Sequence, residues 1–404
     1  MLSMLFRERQ FSLLLGGSLL SKIGDGVHEI VFILAVLKAT HNGVAYAGLI
    51  YFFRFIPYLV LGPVGGVLAD RMQRKHMMII ADLARFAVTS FFCVMLLLDR
   101  AGPASLAVVG LLMTSFRTIF QPAFQSVVPA LVAETNLVAA NASAQIASEI
   151  GGLIGPALGG VLLGITGHAG FVLAFDAATY ILSFLSVTVT AIPRNACESA
   201  GGITLKNLYG DFWANVSLVR ATAALFTTIV YSSTCILFVG AALRILIPAM
   251  LKSQGYSDSL VGYAMSSTAL GAIVGATGFA KVARNYSTRS LMLYWFLYGI
   301  ALAALPFAAG HVWSSLVACT VLGAVGAFVD VVLPTNIQRL STDANIGRNF
   351  SLFSTLANTG EALSGGVAGV LVLCSSVAVS VTAIGLLVAS VAYAGKLRSG
   401  DSYE

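Results

Sequence analysis

Hydrophobic residues are gathered into twelve long runs, separated by short segments that carry most of the charged residues. A bilayer core is crossed by about 20 apolar residues in a helix, and tilting extends this length to roughly 25. The runs are predicted to be transmembrane helices near residues 11–37, 45–69, 77–98, 104–132, 137–166, 170–192, 221–251, 259–280, 290–310, 312–338, 349–372 and 375–395. The pattern therefore predicts an all-α membrane protein with twelve transmembrane helices. If the last two runs formed a single helix, the number of transmembrane helices would be eleven.

Positive charges between the runs predict the orientation. With both termini in the cytoplasm, the cytoplasmic segments hold fifteen Lys and Arg residues, and the opposite side holds three, Lys38, Arg100 and Lys252. Cytoplasmic loops of membrane proteins carry an excess of Lys and Arg. An odd number of spans would scramble this asymmetry. We therefore expect a multi-pass protein with both termini in the cytoplasm and an even number of spans.

The composition excludes a soluble protein. Of 404 residues, 58% are hydrophobic and 10% are charged, whereas soluble domains carry roughly a quarter charged residues. The excess apolar surface must face lipid, so the bilayer is an expected partner. The net charge of +6 is not clustered on a soluble face, which argues against a nucleic-acid partner. The five cysteines show no metal-ligand spacing, so neither a metal site nor a disulfide framework is expected.

The longest segment between runs, 193–220, divides the chain into two halves, 1–192 and 221–404, each with six predicted helices. We expect each half to form a six-helix bundle. Apolar residues of the linker recur at helical spacing; they are Leu205, Leu208, Tyr209, Phe212, Trp213 and Val216. This periodicity favours an amphipathic helix on the inner membrane surface, and a loose linker is the alternative.

A single offset relates parts of the two halves. Pro122 and Glu149 match Pro334 and Glu361, in both cases 212 residues later. Two six-helix repeats related by an axis along the membrane normal are one known plan for transporters. The matches therefore indicate an internal duplication.

The second run ends in GPVGGVLADRMQRK, residues 62–75. Its glycines allow close helix packing in lipid, and Asp70 follows them beside Arg71 and Arg74. This stretch resembles the signature loop between helices two and three of the major facilitator superfamily, G-x-x-x-D-R-x-G-R-K, from which Met72–Gln73 departs. The resemblance implies that Asp70, Arg71 and Arg74 form a gate that holds one face closed. Ordinary positive-inside anchoring is the alternative for the basic residues.

Further stretches narrow the resemblance. GGLIGPALGG at 151–160 resembles the glycine-proline motif typical of exporters in that superfamily, with simple glycine packing as the alternative. Residues 21–32 (SKIGDGVHEIVF), 121–132 (QPAFQSVVPALV) and 139–160 resemble the third drug:proton antiporter family, which includes enterobactin-exporter-like and macrolide-efflux-like transporters. The resemblance implies a monomer with the major facilitator fold in a bacterial cytoplasmic (inner) membrane. It also implies efflux by antiport, as in siderophore export or multidrug resistance.

Ionisable residues inside spans cost free energy on insertion, so each is a functional candidate. Asp25 and Glu29 are four residues apart and share one helix face. Two like charges in a low dielectric favour protonation of one of them, which suits proton coupling. A structural charge pair with a basic residue of a span is the alternative role. Glu149 and Glu361, at repeat-related positions, are the other proton-coupling candidates.

In the superfamily that the sequence resembles, helices one, four, seven and ten line a central cavity. The corresponding polar residues are assigned to substrate binding here: His28, Arg117, Gln121, Gln125, Tyr231, Arg244, Asp330 and Asn336. The arginines Arg117 and Arg244 favour a polar, anionic substrate, such as a carboxylate or catecholate siderophore. Equally, they can act as counter-ions for Asp25 and Asp330, which would leave the charge of the substrate open.

The sequence argues against an enzyme, because it holds no nucleophile–base–acid cluster, no P-loop and no metal-binding motif. No ATP-driven transport by this chain alone and no bound cofactor are expected, so uphill transport needs an ion gradient, and we expect the ion to be the proton. We therefore predict a secondary active transporter that exports a small molecule, a siderophore or an amphipathic drug, by alternating access. Lysophospholipid translocation and substrate uptake by the same fold are the alternatives, because fold likeness does not identify a substrate.

Overall fold

The computed structural model describes residues 7–39, 50, 53–54, 56–193, 205–282 and 286–399. Within these ranges the regular structure is helical throughout, without a strand. The helices are α1 Arg9–Ala39, α2 Gly62–Arg71, α3 Arg74–Leu97, α4 Pro103–Leu131, α5 Leu137–Thr166, α6 Ala169–Val189, α7 Leu205–Ala221, α8 Ala223–Ser253, α9 Asp258–Val282, α10 Thr288–Ala308, α11 Val312–Leu340, α12 Ile346–Cys374 and α13 Val377–Ser399. The predicted all-α fold is confirmed.

Ten helices in the described part of the chain are long and apolar enough to cross a membrane, namely α3 to α6 and α8 to α13. Helix α1 is also long, with 31 residues, but it carries Lys22, Asp25 and Glu29 in its middle. The second predicted span, 45–69, lies partly outside the described residues, and α2 contains its end. The chain is thus a multi-pass membrane protein, and its helices are consistent with the twelve predicted spans.

Local sequence signals set several helix ends. Pro103 opens α4, where its missing N–H costs no helical hydrogen bond. Gly167 ends α5 with a left-handed φ of 66°, a conformation that glycine adopts without a Cβ clash. The Ser287 hydroxyl accepts from the backbone N–H of Ser290 and caps α10. These ends explain why the hydrophobic runs stop close to the observed helix boundaries.

The long helices pack in two groups, α1 to α6 (the first group) and α8 to α13 (the second group). In the first group α1 packs against α5 and α6, and α3 packs against α4 and α6; in the second, α9 packs against α11, α10 against α13 and α8 against α12. A Cβ added at Gly155 would lie 2.6 Å from the Cα of Gly26. The glycine-proline segment of α5 is therefore a close-packing face against α1, as small residues allow in lipid.

The two groups are bonded to each other at one end, which we call the basic end after Arg71 and Arg74. Arg74 pairs with Asp343 at 2.8 Å, and Asn141 of α5 donates to Gln338 of α11 at 2.5 Å. Helix α2 packs against α12, and α5 packs against α9. Three apolar side chains of the first group are buried in the core of the second, namely Val67, Val138 and Ala142. Polar and apolar contacts thus close this end.

Helix α7 lies at the basic end in contact with α2 and α12. Its Asp211 accepts from Arg71 at 2.5 Å, and its Asn215 donates to Asn349 of α12 at 2.9 Å. Trp213 is 64% exposed. A helix therefore occupies much of the linker. Its placement on the membrane surface, like the division of the chain at 192 and 221, stays a prediction.

Candidate functional site

A cavity of about 470 Å³ lies between the two groups of helices. Its walls come from α4 and α5 of the first group and from α8, α10, α11 and α12 of the second. The polar residues of the lining are Gln121, Gln125, Gln145, Arg244, Asp330, Ser354, Asn358 and Glu361, and its aromatic residues are Trp295, Tyr298, Phe350 and Phe353. Small-molecule sites are clefts of about 300–1,000 Å³ with few polar groups in apolar walls. The cavity has the size and lining of such a site.

Arg244 and Glu361 form an ion pair on one wall of this cavity, with 2.6 Å between Nη2 and Oε2. Arg244 lies in a π-helical turn of α8, Ala242–Leu246, and such turns occur frequently at functional sites. The Arg244 side chain remains 55% exposed. A ligand can therefore reach the guanidinium, but an anionic group would compete with Glu361 for it.

Gln145 bonds to two carboxylates where α5 of the first group meets α11 of the second, a contact that we call the joint. Its amide nitrogen donates to Glu149, one turn further along α5, at 2.8 Å, and to Asp330 of α11 at 3.2 Å. Asp330 is exposed to the cavity. Neither carboxylate forms an ion pair with another described residue. The joint thus holds two acidic groups that share one neutral donor.

Asp25 and Glu29 share a face of α1 but have different partners. Asp25 accepts from the Tyr180 hydroxyl at 2.6 Å. Glu29 forms a two-pronged ion pair with Arg54, at 2.6 and 3.0 Å. Arg117 lies beside Asp25 in a small space inside the first group. The structure thus pairs Glu29 with Arg54, a basic residue of the second predicted span.

His28 lies inside the first group and does not line the central cavity. The residue is 4% exposed, and its Nδ1 lies 3.0 Å from Oδ2 of the fully buried Asp176. Its ring stacks on Phe32 and contacts Phe92, with centroids 6.0 and 5.9 Å apart. The structure thus joins His28 to a buried acid of α6.

The sequence reasoning missed a buried ion pair on α3, Asp82 with Arg85. The Ser183 hydroxyl donates to Asp82 at 2.8 Å. The Arg85 guanidinium lies between the rings of Phe120 and Tyr180, 4.5 and 4.7 Å from their centroids. The sequence did offer a signal for this pair: two opposite charges stand three residues apart inside an apolar run. A buried charge in a span needs a partner.

The other predicted site residues are spread over the fold. Gln121, Gln125, Arg244 and Asp330 line the central cavity, while Arg117 and His28 line a smaller space in the first group. Tyr231 packs on Phe226, with centroids 6.2 Å apart, and Asn336 is buried in α11.

Of the predicted gate residues, Arg71 pairs with Asp211 and Arg74 pairs with Asp343. The side chain of Asp70 lies outside the described residues.

Solved structures with the same fold are transporters. The bacterial homologue of the iron transporter ferroportin in an outward-facing state has a TM-score of 0.77 and 19% identity, covering 96% of this chain and 99% of that chain. The human organic anion transporter MFSD10 has a TM-score of 0.76 and 13% identity, covering 97% of this chain and 99% of that chain. The Escherichia coli fucose:proton symporter has a TM-score of 0.75 and 16% identity, covering 96% and 98%. These likenesses show the major facilitator fold.

Sequence comparison shows the family. The enterobactin exporter EntS of Escherichia coli O1:K1 / APEC is 29% identical over 335 residues, 81% of this chain and 77% of that protein. The same exporter of Escherichia coli O127:H6 (strain E2348/69 / EPEC) is also 29% identical over 335 residues, again 81% of this chain and 77% of that protein. Residues 4–404 match the family model described as transmembrane secretion effector. The chain therefore belongs to the transmembrane secretion effector family of major facilitator transporters, and it is a transporter rather than an enzyme.

Proposed function

We propose that this transporter exports a small molecule from the cytoplasm in exchange for protons, by alternating access. The observation that carries the proposal is the central cavity of about 470 Å³, walled by both groups of helices and lined by Asp330 and Glu361. A ligand held between two bodies can be released to either side when the bodies rock about it. The cavity is placed as this mechanism requires.

The bonds between the groups support a rocking motion. Arg74 with Asp343 and Asn141 with Gln338 are polar contacts at the basic end, and such contacts can re-form with water when the end opens. By its charge, this is the predicted cytoplasmic end. The likeness to a transporter in an outward-facing state supports the interpretation that the cavity here is closed toward the cytoplasm.

Four acidic residues are candidates for carrying the proton, and they differ in whether their partner is an arginine or a neutral hydrogen-bond donor. Protonating Glu29 or Glu361 breaks an ion pair with an arginine. Protonating Asp25 or Glu149 breaks none with a described residue, since their hydrogen bonds come from Tyr180 and Gln145. Neither Asp25 nor Glu149 gives up a direct ion pair on protonation, although the positive charges of Lys22, Arg85 and Arg117 beside Asp25 favour its ionised form. We propose these two as the coupling residues.

The cavity lining supports a substrate with both polar and aromatic character, such as a siderophore or an amphipathic drug. Trp295, Tyr298 and Phe353 offer ring faces, and Gln121 and Gln125 offer amides. The related Escherichia coli protein is an enterobactin exporter, which supports a siderophore. An anionic group of the substrate binds Arg244 by displacing Glu361, so the substrate and this ion pair exclude each other.

Transport in everted membrane vesicles tests the proposal. Vesicles containing the protein, given an acidic interior, are expected to accumulate a catecholate siderophore or an amphipathic drug. Vesicles without the protein are the control, and a protonophore should abolish accumulation. Accumulation that persists after the gradient is collapsed would contradict proton coupling. Accumulation of none of these compounds would contradict the proposed substrate class.

A further inference from the structure

A second cavity, distinct from the central one, lies where α7 crosses the two groups. It has a volume of about 610 Å³ and is lined by α7, by α8 and α12, and by the residues at and before the start of α2. Apolar side chains form nearly all of the lining, among them Phe212, Trp213, Phe226 and Leu356. We call this space the linker groove. It shares no lining residue with the central cavity.

The linker groove is open at its outer side. Three apolar side chains of its walls are largely exposed: Leu59 at 59%, Trp213 at 64% and Leu356 at 37%. Tryptophan is enriched where membrane helices meet the headgroup region. The pairs that Arg71 forms with Asp211 and Tyr209 with the Val60 carbonyl hold α7 in place beside the opening. We therefore expect the exposed apolar walls to face lipid at the basic end.

Two arginines lie beside the linker groove, and no carboxylate of the described residues pairs with either. Arg220 is one of its lining residues and is exposed. The Arg398 guanidinium lies 4.3 Å from the ring centroid of Phe226, which also lines the groove. Neither arginine forms an ion pair or hydrogen bond with the described part of the chain. An apolar channel beside two arginines that have no acidic partner among the described residues matches a ligand with an anionic head and an apolar tail.

We propose that the linker groove binds an anionic phospholipid, with the headgroup on Arg220 and Arg398 and an acyl chain along the apolar walls. Arginine binds phosphate through forked hydrogen bonds. Each basic residue near an anionic leaflet adds attraction for its lipids. A peptide is a poor occupant, because the walls offer few partners for its backbone groups. A free phosphate would use the arginines but leave the apolar walls empty.

The site also has a consequence for conformation. Its walls include Pro63 of α2, from the first group, and Phe226 and Leu352 from the second. The hydroxyl of Ser351 on α12 donates to the carbonyl of Gly62 beside it. The groove therefore exists as a whole only while α2 and α12 remain in contact. Lipid bound there stabilises the arrangement in which the basic end is closed.

Native mass spectrometry of the purified full-length chain tests the proposal, with phosphatidylglycerol and phosphatidylcholine of identical acyl chains as probes. Phosphatidylglycerol should be retained more tightly. Arg220→Gln should lower its apparent affinity about fivefold, as expected for one basic residue, and leave phosphatidylcholine unchanged. Arg289→Gln is the matched control, because Arg289 is exposed at the basic end but does not line the groove.

Two further variants keep the test decisive. Val216→Trp fills the groove and should lower retention of both lipids. If the Arg220→Gln protein is not recovered folded, Arg398→Gln should show the same loss of affinity for phosphatidylglycerol. Equal retention of the two lipids by the unmodified chain would overturn the proposal. An equal loss in Arg289→Gln would also overturn it. Displacement of phosphatidylglycerol by soluble glycerol phosphate at equal concentration would reassign the site to free phosphate.

Discussion

The amide of Gln145 on α5 donates to the carboxylate of Asp330 on α11 at 3.2 Å, across the joint between the two groups of helices. The same nitrogen donates to Glu149 at 2.8 Å. Proton uptake at Glu149 weakens its own bond from this nitrogen, and so acts on the donor that also holds Asp330 across the joint. This geometry links a candidate proton carrier to the wall of the central cavity.

Gln145→Leu should slow gradient-driven transport about tenfold, because hydrogen bonds to charged groups contribute about 1.5–3 kcal/mol. Initial rates in everted vesicles measure the effect. Asn358→Leu is the matched control: it removes another amide from the cavity wall, but within the described residues Asn358 donates only to Ser354 of its own helix. Equal losses in both variants would show that cavity polarity, rather than the link between groups, is responsible.

Arg74→Gln should favour opening of the basic end. Arg74 is nearly buried, and it donates to the Asp343 carboxylate, to the Asp343 carbonyl and to the Ser126 carbonyl. Nitroxide labels at Thr135 and Thr342, in a variant without native cysteines, report the distance between the groups. We expect a longer and broader distance distribution, with the open population raised about tenfold or more, as expected for a lost charged bond.

The control for the gate is Lys75→Gln, which removes a neighbouring positive charge. Lys75 donates to the carbonyls of Thr188 and Thr190, both in the first group. It should leave the distance distribution unchanged. An unchanged distribution in Arg74→Gln as well would remove the gate role of Arg74.

The sequence predicted most helix positions because a bilayer imposes a length and an apolar composition on each span. The fifth predicted span, 137–166, coincides with α5, and the tenth, 312–338, ends two residues before α11 does. Interruptions inside helices were not predictable in this way. The π-helical turns of α8 at Thr227–Tyr231 and Ala242–Leu246 lie inside one apolar run, and hydrophobicity does not distinguish a π-helical turn from an α-helical one.

The site was predicted less completely, since the partners of buried charges lie far apart along the chain. Arg244 and Glu361 were each singled out, but their pairing joins residues 117 positions apart. Arg54 and Glu29 meet through tertiary packing, which one sequence does not specify. Asp82 shows a different failure: the charges of Asp82 and Arg85 were visible inside an apolar run, where a buried charge needs a partner, and they were overlooked.

The orientation of the chain can be checked by cysteine labelling in intact cells. Cysteines placed next to Arg74 and Lys206 should be protected from a membrane-impermeant reagent, and those next to Arg100 and Lys252 should react. The charge asymmetry between the two sides is the physical reason. Labelling of the first pair from outside would reverse the orientation and, with it, the proposed direction of transport.

Substitutions of the cavity ion pair should reveal the charge of the substrate. If an anionic substrate group displaces Glu361 from Arg244, Arg244→Gln should raise the apparent substrate constant about tenfold. Glu361→Gln should lower that constant, because the arginine is then available. Equal folded yields of the two variants are the control. A lowered constant in Arg244→Gln would instead indicate that the cavity binds a cation.

Asp25→Asn tests proton coupling through α1. The Asp25 carboxyl accepts from the Tyr180 hydroxyl at 2.6 Å, in a helix that also holds Lys22 and Glu29. Asparagine keeps the shape and can still accept this bond, but it cannot exchange a proton. Gradient-driven transport should therefore be lost, whereas substrate binding and counterflow exchange should remain, since neither needs net proton movement.

Proton release from the purified protein on substrate addition, near pH 7 in weak buffer, decides between the coupling residues. The unmodified chain should release protons and Asp25→Asn should release fewer, while Tyr180→Phe, which keeps the carboxyl, should still release them. Glu29→Gln should have a smaller effect, because Glu29 is held in its ion pair with Arg54. Equal release by the unmodified chain and Asp25→Asn would move the coupling to Glu149, whose Gln145 bond reaches across the joint to Asp330.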